Sequence, residues 1–130
     1  MSRPAYRKIV FYWLPVFLWM GIIFLASSIP SQGMPKLTDY WLFWAHRFGH
    51  MVEYSILGIL WLRAYNYSHQ PARHDLKPVL LLSVGILLFG LADEWHQSFV
   101  PGRMQQLLDS VFDMICGTIG MLVYRFRIHS

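Results

Sequence analysis

An uncharged run from Ile9 to Ala26 constrains this chain more than any other feature. At the helical rise it is about 27 Å long, close to the roughly 30 Å hydrocarbon thickness of a bilayer. Arg3, Arg7 and Lys8 precede it and Ala26-Ser27-Ser28 closes it. That order also fits a secretory signal with a small-residue cleavage site, but the apolar run is long for a signal, and a retained helix is the adopted reading. Three more apolar segments follow, so the expected spans are about 9–26, 48–66, 78–97 and 107–125. The second and fourth are acceptable only if their polar first turns sit at an interface or inside a bundle. Composition agrees: 14% of the residues are charged, against about 25% in a soluble domain, which is too little to cover a water-facing surface. The expectation is one domain, 1–130, all-α, a four-transmembrane-helix bundle that makes a multi-pass cell-membrane protein. A single cysteine, Cys116, removes an internal disulfide framework and a cysteine-rich zinc site. The net charge of +4 does not point to nucleic acid, because the basic residues form no stripe interleaved with aromatics.

Orientation follows from lysine and arginine. With four spans, one side holds Arg3, Arg7, Lys8, Arg63, Arg73, Lys77, Arg125 and Arg127, and the other holds Lys36, Arg47 and Arg103. Eight against three puts both termini in the cytoplasm. Of the seven acidic residues, Glu53, Asp93, Glu94, Asp109 and Asp113 then converge on the outer face from three different spans. An ionisable group towards the bilayer centre costs at least about 2.5–3.5 kcal/mol, so it normally faces protein or water.

Spacing refines the cluster. His50, Glu53 and Tyr54 share a helix face, as do Asp93, His96 and Gln97, at i, i+3 and i+4. Asp109, Asp113 and Gly117 lie on one stripe, with Gly120 close to it, polar at the outer end and small deeper in, which suits close helix packing. Pro101-Gly102 is a turn signal, and Arg103 follows beside the acidic ends, placed to pair with them or to hold a phosphate bidentately. Plainer readings stand beside these. A lone interfacial Arg snorkels to water. Asp109 suits a helix N-cap or first-turn anion. Glu53 has Arg47 and Arg103 as candidate partners, and Tyr54 suits an interfacial aromatic belt along with Tyr40, Trp41 and Trp44. His46, His69, His74 and His129 carry no spacing signal, and Cys116 suits apolar packing. The segment from Ser27 to Ala45, with Pro30, Gly33, Pro35 and several aromatics, is expected to lie along the outer interface as a lid or amphipathic piece.

The residues also carry a resemblance. Arg47-Phe-Gly-His50-Met-Val-Glu53-Tyr54-Ser-Ile-Leu-Gly58 resembles the basic-x-x-His-x-x-x-Tyr-x-x-Leu-Gly pattern of VanZ-like proteins. Asp93-Glu94-Trp-His96-Gln97-Ser-Phe-Val-Pro-Gly-Arg103 resembles their second signature, and Asp109, Asp113 and Gly117 fall where that family places an Asp, an Asn or Asp, and a Gly. Gln106 departs from the family's frequent Ser. The resemblance covers nearly the whole chain. It implies a small multi-helix membrane protein related to one named for teicoplanin resistance, with no settled activity.

Two functional classes follow. The first is an enzyme at the outer face, working by hydrolysis or transfer at a phosphate or glycosidic centre of a lipid-linked or cell-envelope molecule. Asp93 or Glu94 would be its base, His50 its proton carrier and Arg103 its anion clamp. Glu53, Tyr54, His96, Gln97, Asp109 and Asp113 would bind substrate or orient the others. The second is a non-catalytic binding or structural protein whose polar cluster fixes helix packing. His50-x-x-Glu53 and Asp93-x-x-His96 invite comparison with di-iron bundles, but the first pair is reversed and the remaining carboxylates share one helix, so no metal ligands are assigned. The residues specify no cofactor. The expected partners are membrane lipids or a lipid-linked envelope molecule, not nucleic acid.

Overall fold

The computed structural model describes residues 4–29, 40–102 and 107–130. They form four helices, α1 (Ala5–Ser27), α2 (Tyr40–His69), α3 (Lys77–Gln97) and α4 (Leu107–His129), with no strand among the described residues. Three of them, α1, α3 and α4, are long and apolar enough to cross a membrane. Helix α2 is the longest, at 30 residues, but His46, Arg47, His50, Glu53 and Arg63 interrupt its apolar character.

The reason α2 tolerates those residues is its position. It packs against each of the other three helices, most extensively against α4. Tyr54, Leu57, Leu62 and Ala64 of α2 are fully buried, against Val79, Leu82 and Ile86 of α3, Cys116 and Met121 of α4, and Val16 and Ile23 of α1. Glycines set the α2–α4 distance. A Cβ on Gly120 would stand 2.6 Å from the Ser55 carbonyl oxygen, and one on Gly58 would run into the Gly117 backbone. The small stripe expected on α4 is therefore the seam that lets two backbones approach.

The other helices are apolar on the outside. Val111, Ile115, Ile119 and Val123 of α4 are all exposed at four-residue spacing, as are Leu80, Val84 and Leu88 of α3. Phe17, Leu18 and Leu25 of α1 are exposed too. An exposed aliphatic stripe of this length on a bundle that buries charged groups at one end is what a hydrocarbon solvent selects.

One boundary differs from the expectation. Helix α2 begins at Tyr40, so 40–45 is helical and not part of an interfacial loop, while Ser27 is the last residue of α1. The breakers Pro30, Gly33 and Pro35 all precede Tyr40, and 40–47 contains neither Gly nor Pro to oppose a helix. Residues 30–39 of that segment lie outside the described residues.

Candidate functional site

The finish of α1, the first half of α2, the finish of α3 and the start of α4 meet at one end of the bundle. Side-chain bonds there join Ser27 to Asp93 and His50 to Asp113. The opposite end joins Trp13 to Ser68 and Arg125 to the Asp75 carbonyl. The convergence of acidic residues expected from charge order is therefore present, and a fourth helix, α1, takes part in it.

His50 and Asp113 form the central pair. The Nδ1 of His50 lies 3.0 Å from Oδ1 of Asp113, whose exposure is 1%. An ionised Asp113 only accepts, which puts a hydrogen on Nδ1 and, in a neutral imidazole, leaves Nε2 as the proton acceptor. Four residues earlier, the His46 ring stands 4.6 Å from that of His50. Four residues later, the Tyr54 ring lies nearly parallel to it at 6.0 Å. Tyr54 is completely buried, and its hydroxyl has no hydrogen-bond partner among the described residues. It is therefore a core residue behind His50, not an interfacial belt residue.

Asp93, at 3% exposure, is the second fixed carboxylate. Its Oδ1 accepts a 2.5 Å hydrogen bond from Ser27, and its Oδ2 accepts one at 3.1 Å from Gln97, one turn on. His96, three residues past Asp93 on α3, turns to α1. Its Nε2 is 2.9 Å from the Ser28 hydroxyl, and its ring stacks on Phe24 at 4.1 Å. The Ser27-Ser28 pair that resembled a cleavage site thus ties α1 into the bundle. Glu53 anchors α1 by a different route, since its backbone carbonyl accepts from the Trp19 indole at 2.8 Å.

A cleft of about 180 Å3 opens among these groups, lined by Ser27 of α1, His46, His50 and Glu53 of α2, and Asp93 and Gln97 of α3. Asp113 stands behind its wall through His50. Asp109 pairs with Arg47 at 3.2 Å, so it is more than a helix-end anion. Glu94 is buried at 3% exposure and is not among the residues lining the cleft. Arg103 lies outside the described residues.

Sequence reasoning missed His46 and Ser27. His46, read from the sequence as carrying no spacing signal, in fact stands four residues from His50, and Ser27 is 66 residues from its partner. Among the described residues, no three His, Cys, Asp or Glu side chains stand together so as to hold a metal ion. The cleft supplies a fixed imidazole, an adjacent carboxylate and hydrogen-bonding hydroxyl and amide groups, which are the parts needed to move a proton.

Residues 11–128 match the family model described as VanZ/LLP1. No curated protein and no solved structure matches the chain.

Proposed function

The chain belongs to the VanZ/LLP1 family, and on that premise we propose that it is a four-span protein of the cell membrane, with both termini cytoplasmic, that acts on a lipid-linked or cell-envelope molecule at its extracytoplasmic end. The observation that carries this reading is the His50–Asp113 pair, set in a cleft that also holds Glu53 and Asp93. In the proposed reaction, His50 takes the proton of the attacking hydroxyl at Nε2. Glu53, one turn along the same helix, starts protonated and gives its proton to the departing oxygen as its bond breaks, and the proton taken by His50 then restores Glu53. Arg103 holds the anionic group bidentately, and Asp113 keeps the imidazole in the tautomer that accepts. Asp93 serves better as a positioning carboxylate than as the base, because both of its oxygens are occupied.

The aliphatic exterior supports a substrate that arrives through the bilayer, where a lipid tail needs no water. A glycopeptide that carries an acyl chain, or the envelope precursor it binds, is within this class, so altered glycopeptide susceptibility is part of the proposal. The test is turnover of extracted envelope lipids by protein in nanodiscs. His50→Gln and Arg103→Ala should each abolish it while the fold is retained. Persistence of turnover in His50→Gln would remove His50 from the chemistry.

A second reading keeps one specific observation. The Ser27–Asp93–Gln97 bonds tie α1 to α3 in the way a register-fixing network would. Under that reading the protein binds or only spaces its neighbours, and His50→Gln lowers thermal stability without any lipid being converted by the wild type.

A further inference from the structure

The bundle end opposite His50 holds an assembly that the proposed reaction does not use. Arg7 and Lys8 stand on the first turn of α1, and Arg63 on α2 lies over Phe11 and Tyr12, one turn further along α1. Among the described residues, no carboxylate forms an ion pair with any of the three. Asp75 is the only acidic side chain described at this end, and its Oδ1 accepts from the Lys77 backbone N–H. Two other cations of this end are already engaged with main-chain oxygens. Arg125 donates to the Asp75 carbonyl at 2.7 Å and Arg73 to that of His129 at 2.6 Å.

Arg63 is held in a particular way. Its guanidinium lies over the Phe11 ring at 5.1 Å and over the Tyr12 ring at 4.7 Å. Tyr12 in turn stacks on Tyr67, one turn past Arg63, at 4.2 Å with the rings nearly parallel. Trp13 braces the contact by donating to the Ser68 hydroxyl at 2.8 Å. Rings on the face of a guanidinium attract it and limit its motion while leaving the in-plane N–H donors at its edge. Those donors are the ones a phosphate takes in pairs.

Beside this group runs a groove of about 800 Å3, with Arg7 and Lys8 at its rim and Val10, Phe11, Leu14 and Tyr67 among its walls. Val10, Phe11 and Leu14 are each about half exposed or more, and they lead down the bilayer-facing side of α1. An anion at the rim and an alkyl chain along the groove is the shape of one molecule, and the charge and apolarity arranged here complement both parts of it.

We propose that Arg7, Lys8 and Arg63 bind the phosphate of an anionic diacyl phospholipid whose acyl chain lies along Val10, Phe11 and Leu14. The site is separate from the His50 cleft, and its test needs no knowledge of the substrate. The full chain is placed in nanodiscs of equal phosphatidylglycerol and phosphatidylcholine with matched chains, and the lipids retained on release are counted by native mass spectrometry. Wild type should retain phosphatidylglycerol about tenfold over phosphatidylcholine. Arg63→Gln and the exposed double variant Arg7→Gln/Lys8→Gln should each bring the ratio close to one. The double variant touches no buried residue, so it keeps the test valid if Arg63→Gln fails to fold. Arg125→Gln is the charge-matched control and should keep the preference. Excess inorganic phosphate should leave the lipid bound. A wild-type ratio near one, an equal loss in Arg125→Gln, or displacement by inorganic phosphate alone would each overturn the proposal.

Discussion

At the scale of single residues, His50 and Asp93 separate two roles that a list of polar residues would merge. His50 lines the cleft and has one partner behind it, Asp113, which orients it. Asp93 has a donor on each oxygen. Asp113→Asn keeps the shape of the pair but removes the charge that favours an imidazolium. If His50 is the base, turnover should fall about 10²–10⁴-fold, the range for a general base, with little change in thermal midpoint. Ser27→Ala should behave in the opposite way. It deletes a hydrogen bond to a buried carboxylate, which costs about 1–3 kcal/mol, and that loss should appear in the unfolding midpoint measured in mild detergent. Of these residues, the sequence made Asp113 and His50 legible through charge order and helix spacing, because both signals are local. Ser27 was not legible, because its role comes from a partner on another helix and an isolated Ser at a helix end has many uses. Tyr54 was placed on the right face of α2 but at the wrong depth, since burial depends on how α4 closes over α2.

At the scale of elements, the bundle is set by where backbones can touch. Gly120→Ala should destabilise by about 1–3 kcal/mol, the cost of overpacking, because its Cβ would meet the Ser55 carbonyl at 2.6 Å and neither backbone has room to move. Gly21→Ala is the matching control. Nothing lies within 4 Å of a Cβ there, so the change should be neutral or stabilise by up to about 1 kcal/mol through helix propensity. Thermal unfolding of the two variants side by side checks both statements, and equal effects would remove the close-packed seam from the account. The existence of all four helices was readable from apolar runs. The start of α2 at Tyr40 was not, because aromatic residues near an interface fit an extended segment and a helix equally well. Its polar face misleads hydropathy for a similar reason, since a helix surrounded by three others need not be apolar.

At the scale of the whole molecule, the proposed orientation and function rest on the same asymmetry, with most carboxylates at one end and most arginines and lysines at the other. The only cysteine, Cys116, is buried, so a Cys116→Ser background allows single labels. Ser98→Cys at the cleft end should react with a membrane-impermeant maleimide added to intact cells, and His74→Cys at the opposite end should react only after lysis. The reverse pattern would invert the proposed orientation and put the cleft in the cytoplasm. The basis of that orientation was fully visible in the charge order, whereas the proposed substrate was not, because a small cleft lined by His50, Glu53 and Asp93 fits many molecules. The most direct test is therefore a lipid-resolved comparison. Wild type and His50→Gln, equally folded in nanodiscs, are incubated with total extracted envelope lipid, and every species is measured by mass spectrometry before and after. The expected result is a lipid-linked species consumed by wild type alone, with its product appearing in step. Identical lipid profiles for the two proteins, across the whole extract, would contradict a catalytic cleft.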